Sequence, residues 1–198
     1  MAMVREDAVR AALRVLDEVG LENLSLRKLA KELGIQAPTL YWHFKNKQEL
    51  LDEMAAMAMA GAGDGALPAP GGEWDQWLAW MARRIRRGML AHRDGALLAS
   101  ASRPAVDRWA DVEEILVMLR KAGFTPADAM RGIGTLTNYV LGTTLEEQQA
   151  ANREPGQPDF GAYPVLREAV VALEAADPEW RFEHGLSLIL DGMRAQLA

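Results

Sequence analysis

Residues 25–50 run Ser25-Leu-Arg-Lys-Leu-Ala-Lys-Glu-Leu-Gly34, then Ile35-Gln-Ala-Pro-Thr-Leu-Tyr-Trp-His-Phe44, then Lys45-Asn-Lys-Gln-Glu-Leu50. Leu26, Leu29, Ala30 and Leu33 recur at helical spacing behind Ser25, a residue suited to cap a helix N-terminus. Gly34 follows as a residue able to take positive φ, so the chain can turn there without a Cβ clash. Pro38 tolerates the first turn of a new helix, which the pattern predicts over residues 38–44. A short helix, a glycine turn and a second short helix make a helix-turn-helix, whose second helix is shaped to enter a DNA major groove.

Charge supports that reading. Between Ser25 and Lys47 stand five basic side chains, Arg27, Lys28, Lys31, Lys45 and Lys47, against the single acid Glu32, in a chain whose net charge is −6. A basic patch on an acidic protein attracts phosphate at one end only. Thr39, Tyr41, Trp42 and His43 crowd into a helix of about two turns. Trp42 could serve the core, but Thr39, Tyr41 and His43 cannot all share its face, so polar groups must point outward toward phosphates or bases.

These residues resemble a known family. Leu40-Tyr-Trp-His-Phe-Lys-Asn-Lys47, with Arg27-Lys-Leu-Ala30 before it, is similar to the DNA-binding domain of the tetracycline repressor (TetR) family. The similarity continues through His92-Arg-Asp-Gly-Ala96, Arg103-Pro104, Gly123-Phe124, Leu141-Gly142 and Leu145-Glu-Glu-Gln148, nearly the whole chain, and points to the tetracycline-repressor branch. It implies a homodimeric regulator of double-stranded DNA, read as a repressor, that answers to a small-molecule effector. DNA contact is then expected from Arg27, Ala37, Pro38, Thr39, Tyr41, Trp42, His43 and Lys47. Ala37 stands where tetracycline repressors carry a base-reading glutamine before the proline, and its methyl cannot make a bidentate adenine contact.

The rest of the chain bounds the fold. At 198 residues, with 49% hydrophobic and 25% charged side chains, it can bury a sizeable core in one domain or two small ones. No apolar run approaches the roughly 18 residues of a membrane span, and the first residues lack the apolar stretch of a signal peptide. With no cysteine, disulfides and thiolate metal sites are excluded, so a cytoplasmic protein with no membrane association is expected.

Helical periodicity extends along the whole sequence, and the fold expected is all-α with about ten helices. An amphipathic helix spans 4–19, and Asn46 with Glu49 caps another over 47–59. Further helices are predicted over 74–91, 104–122, 126–149 (Thr125 as cap), 165–175 and from Asp177-Pro178 to about Leu197. Residues 61–72 and 152–164 read as loops. The division expected is a DNA-binding domain over 1–46, a linker helix over 47–60, and a ligand-binding and dimerisation domain over 61–198. Gly61 to Ala66 superficially fits a dinucleotide fingerprint, but no βαβ unit surrounds it. His92-Arg93-Asp94 superficially fits a kinase catalytic loop, yet Ala99 stands where its asparagine belongs. The last helix carries Phe182, Leu186, Ile189, Leu190, Met193 and Leu197, and the helix over 126–149 a similar stripe through Ile133, Leu136, Val140 and Leu141. Two such helices from each of two chains would form a four-helix dimer bundle, with Leu186, Ile189, Leu190 and Met193 at or beside it.

The resemblance also frames the effector site. In tetracycline repressors a histidine near the Arg-Pro pair helps chelate drug-bound magnesium. That position is Ala99 here, other drug-gripping polar positions are Gly63, Met81 and Asn138, and Glu146 matches a carboxylate of the family site. No metal site and no cofactor is therefore expected, although hydrated magnesium at Glu146 stays open. Candidate cavity residues are Trp80, Met81, Ile85, Leu98, Ser102, Arg103, Val112, Ile115, Met130, Ile133, Asn138 and Glu146, around a planar, mostly apolar or aromatic molecule. Arg103 is the member whose burial would demand a partner. The alternative is an all-α small-molecule carrier or enzyme using the same cavity. Against an enzyme stands the lack of any nucleophile–base or paired-acid constellation.

Overall fold

The structure, a computed structural model, describes residues 5–61, 73–103, 109–151 and 160–197. Among them are ten α-helices and no strand: α1 (Arg5–Val19), α2 (Leu26–Glu32), α3 (Ala37–His43), α4 (Lys47–Gly61), α5 (Trp74–Leu90), α6 (Gly95–Ala101), α7 (Trp109–Lys121), α8 (Pro126–Ala150), α9 (Pro164–Ala175) and α10 (Pro178–Arg194). The all-α expectation holds. Val4, residues 104–108 with Val106, the fingerprint-like glycines after Gly61, and residues 152–159 lie outside the described residues.

Local chemistry explains where the helices begin. Ser25 Oγ accepts from Lys28 N–H at 3.2 Å, and Thr125 Oγ1 accepts from Asp128 N–H at 3.1 Å. At α4, Asn46 Oδ1 accepts from Glu49 N–H at 2.9 Å, while Glu49 Oε2 reaches back to Lys45 N–H at 2.7 Å. Gly34 takes φ +64° between α2 and α3, as the turn requires.

Two hydrophobic cores form. The headpiece core joins Val9, Leu13 and Leu16 of α1, Leu29 of α2, Leu40 and Phe44 at α3, and Leu50 and Met54 of α4; Leu98 of α6 also enters it. The second core gathers Leu78 and Met89 of α5, Leu119 of α7, Leu136 and Val140 of α8, and Phe182, Leu186, Leu190 and Met193 of α10. Trp74 meets Phe124 edge-on in the second core, with ring centroids 4.9 Å apart.

Two expectations need correction. No helix is predicted over 95–101, yet α6 is there. Its small residues, with a glycine in first position, give too short an apolar pattern to see. The α10 stripe is not a partner face: Leu186, Leu190 and Met193 are buried in the chain's own core and Ile189 packs beside it. The side of α10 left exposed carries Trp180, His184, Leu188 and Gly192. Antiparallel beside it, α8 exposes Met130, Gly134, Asn138, Gly142 and Glu146, a strict i, i+4 series.

Candidate DNA-binding face and effector cavity

α3 is anchored by Leu40 and, at its C-terminal end, Phe44, both fully buried, and it turns Pro38, Tyr41 and Trp42 outward. Trp42 is 88% exposed and Tyr41 54%, Pro38 is exposed, and Thr39 and His43 are half-buried. Trp42 therefore belongs to the surface, not the core. Arg27, Lys28, Lys31, Lys45 and Lys47 are all exposed, so the basic side chains and the outward face of α3 are free to meet a polyanion. Arg5 fastens this face from behind. Its guanidinium sits 4.8 Å from the Phe44 ring centroid, bonds Glu49 at 2.6 Å and Glu53 at 2.7 Å, and also donates to the His43 carbonyl. The hydrogen bond from Arg5, helped by the Lys45 N–H, holds the Glu49 carboxyl below its ordinary range.

A cavity of about 610 Å³ opens between α5 and α7. Trp77, Trp80, Met81, Arg84 and Ile85 form one wall, and Asp111, Glu114, Ile115 and Met118 the other. Met59 of α4 and Ala99 of α6 close the end nearest the headpiece. Both long walls follow one helical stripe, i, i+3, i+4, i+7, so the helices present ridges to each other across a gap. α7 packs on α8 rather than on α5, which leaves that gap unfilled.

Of the residues proposed from sequence, Trp80, Met81, Ile85 and Ile115 line the cavity. The others do not line it in the single chain. Leu98 is buried on the opposite side of α6, in the headpiece core. Arg103 is exposed: the chain leaves α6 at Ser102, and Arg103 N–H is held by Asp52 Oδ1 at 2.8 Å, so its side chain projects from the surface. Ser102 is half-buried and bonds the Ala99 carbonyl at 2.8 Å. Val112 faces outward on α7, and Ile133 packs against the second core. Met130, Asn138 and Glu146 lie on the exposed series of α8. Gly63 lies outside the described residues.

The donor set does not fit a chelated divalent cation. Ala99 offers a methyl at the cavity, Glu146 points elsewhere, and no group of three histidine, aspartate or glutamate side chains among the described residues could hold a metal.

A third feature was invisible in the sequence. The turn between α5 and α6 is gripped from two sides. From α1, Asp17 accepts from Arg93 N–H and from the His92 ring, both at 3.0 Å, while Arg93 donates to the Glu18 carbonyl at 3.0 Å. Asp94, in the left-handed region at φ 56°, accepts from Leu21 N–H at 2.9 Å. A Cβ on Gly20 would stand 2.8 Å from that same carboxylate, and its φ of +76° also calls for glycine. From α8, Gln148 accepts from Ala96 N–H at 3.0 Å and donates to the carbonyls of Met89 at 3.1 Å and His92 at 2.9 Å. The run that superficially fits a kinase loop is thus the joint between headpiece and core.

Comparison with known proteins agrees with this architecture. Residues 8–54 match the model of bacterial regulatory proteins of the tetR family, and residues 67–197 match the tetracyclin repressor-like C-terminal domain. The chain is 39% identical over 196 residues to the class D tetracycline repressor protein of Escherichia coli, covering 98% of this chain and 90% of that protein. A possible TetR family transcriptional regulator from Streptomyces coelicolor A3(2) superposes with a TM-score of 0.85 at 37% identity, over 97% of this chain and 99% of that one. The class A TetR bound to 5a,6-anhydrotetracycline and magnesium superposes with a TM-score of 0.76 at 34% identity, over 95% of this chain and 96% of that one. The chain belongs to the TetR family; it is a DNA-binding transcriptional regulator and not an enzyme.

The joint has a direct test. Asp94→Ala leaves the Leu21 N–H without its partner and puts alanine into a left-handed conformation, so it should cost about 1–3 kcal/mol in thermal unfolding. Amide exchange at Leu21 should quicken in parallel. Asp94→Asn, which keeps an acceptor oxygen and tolerates that conformation, should recover most of the loss.

Proposed function

We propose that this TetR-family chain is a one-component repressor acting in the cytoplasm as a homodimer. It holds a near-palindromic operator through two headpieces and releases it when a small molecule fills the α5–α7 cavity. The observation that carries this reading is the span of α4: Leu50 and Met54 sit in the headpiece core, and Met59 closes the cavity. One rigid helix thus touches both places. A ligand that prefers one setting of Met59 shifts the setting of the headpiece by its differential affinity, and by no more than that.

On this reading residues 1–46 bind DNA, 47–60 link, and 61–198 bind the effector and dimerise. Two α3 helices reach successive major grooves about 34–36 Å apart. Thr39 and Tyr41 lie at the groove with Ala37, Pro38 and Trp42; Lys47 and His43 meet phosphate, and Arg27 assists from the start of α2. The Ala37 methyl favours a thymine contact and gives an operator different at that base pair from one read by glutamine. Sequencing DNA fragments selected by the purified protein tests this function: recovery of no palindromic sequence would sink it.

The partner face is the exposed side of α8 and α10. A Cβ added at Gly134, Gly142 or Gly192 meets no atom within 4 Å, so a second chain can approach closely there, and Leu188, one turn before Gly192, is 60% exposed. The effector is a mostly apolar or aromatic compound. It is not the magnesium chelate of tetracycline, because Ala99 supplies no imidazole at the cavity.

Three outcomes follow. Lys47→Ala should weaken binding to all DNA sequences alike and lower the salt slope of binding by about 1; an unchanged slope removes Lys47 from the phosphate contacts. Leu188→Glu leaves the single chain's core untouched but buries an unpaired carboxylate between chains, so sedimentation should show monomers; a dimer of normal stability would refute this face. Tetracycline with magnesium should fail to release the operator, since each polar group left without a partner costs about 1–3 kcal/mol. Release at micromolar drug would show that other residues rebuild the chelate.

A further inference from the structure

The cavity walls carry charge in an uneven way. Asp111 and Glu114 stand at the exposed edge of the α7 stripe, one helical turn before Ile115 and Met118 on the same face. The one cation among the described lining residues, Arg84, is engaged on the opposite wall. Its guanidinium lies 5.4 Å from the Trp80 ring centroid, and one of its nitrogens is 3.5 Å from the Ala60 carbonyl. Trp77 is tilted against Trp80, with ring centroids 6.0 Å apart, so this wall is an indole surface. Glu114 has no ion-pair or hydrogen-bond partner among the described residues.

Three classes of aromatic ligand meet this site differently. A neutral ligand filling the mouth strips water from the Glu114 carboxylate and gives nothing in return. An anion adds repulsion from both carboxylates, and Arg84 is already turned toward Trp80 and the end of α4. A cation gains from the carboxylates and from the negative face of Trp77, which attracts ammonium groups within about 6 Å, the Trp80 face being already met by Arg84. Met59, Met81 and Met118 add flexible, polarisable walls, which suit a class of compounds more than one rigid shape.

We infer that the effector is an aromatic compound carrying a positively charged amine, its rings against Trp77 and Trp80 and its ammonium toward Glu114 and Asp111. This rests on the cavity being the effector site and names the charge that reading leaves open.

The test is a set of three probes with one ring system and three charges: 1-pyrenemethylamine, 1-pyrenemethanol and 1-pyrenecarboxylate. Binding to the full-length protein is followed by energy transfer from tryptophan to pyrene and by melting temperature. The amine should bind about tenfold more tightly than the alcohol, and the carboxylate most weakly. Added salt should narrow the gap. Glu114 is exposed, so Glu114→Gln should fold normally and bring the amine close to the alcohol. Equal or tighter binding of the alcohol or carboxylate overturns the charge inference while the cavity keeps its role. A preference for the amine that survives both Glu114→Gln and Asp111→Asn also overturns it. Binding of none of the three removes the cavity reading itself.

Discussion

The whole molecule turns on how the short bend between α5 and α6 is satisfied. Backbone carbonyls and N–H groups at a bend have lost their helical partners and must find others when they are not in water. Gln148 meets three of them at once, from a helix that belongs to the second core. Asp17 and Asp94 fasten the same bend to the end of α1, which belongs to the headpiece. Among the described residues no other cluster of polar contacts joins α8, the α5–α6 bend and α1 in one sequence. Because α6 begins there, its side chains split: Leu98 goes to the headpiece core and the next residue, Ala99, to the cavity. A shift of α6 therefore cannot stay on one side.

The second core is organised around a different constraint, a charge that has been buried. Arg86 is only 6% exposed, lies 4.8 Å from the Phe182 ring centroid and is paired with Glu147 of α8 at 2.9 Å and with Glu179 of α10. Such a group need not add net stability, since desolvation consumes much of the Coulombic gain, but losing one partner is costly. Its effect is to fix α5, α8 and α10 in one mutual setting. Tyr139 adds to it by donating to the Phe182 carbonyl at 2.9 Å, which brings its hydroxyl to 2.2 Å from where a Cβ on Gly185 would stand. With that side of α10 committed inward, the side bearing Leu188 is the one left exposed.

Features set within a few residues were legible from the sequence. Ser25, Asn46 and Thr125 act through neighbours three positions away, and Gly34 through its own backbone, so their roles show in a short window. Helix existence was legible wherever the apolar period ran long, and α6 escaped because seven residues, five of them small, carry no period. The burial of α10 was misread for a physical reason: a stripe says that a face is buried, and it does not say against which chain. Trp42 illustrates the same limit, since its large apolar ring is consistent with a core until Leu40 and Phe44 are seen to fill that role. The roles of Arg86, Gln148 and Asp17 could not be read from the sequence, although Gln148 closes one of the stretches that carry the resemblance. Their partners lie dozens of residues away, and nothing in the type of a surface-prone polar residue marks it for such a place.

In the cavity, the sequence offered the right helices but too many faces. Trp80, Met81, Ile85 and Ile115 sit on the stripes that meet, whereas Val112 is on the wrong side of the same α7 turn, a rotation of one residue from Asp111. The consequence reaches function. On the proposed reading, a cavity whose long walls belong to α5 and α7, and whose inner end belongs to α4 and α6, is open to a ligand along its length and reaches the headpiece, among the described lining residues, at Met59 and Ala99. Occupancy alone changes nothing; a ligand that fills the outer mouth equally well in both settings of the headpiece has no leverage on DNA. Leverage needs a group that pushes on or packs against Met59, the one lining residue on the helix that also carries Lys47 at its first turn. Binding strength and release are, on that reading, governed by different ends of one cavity, the charged rim setting which compounds enter and the methionine at the inner end setting which of them act.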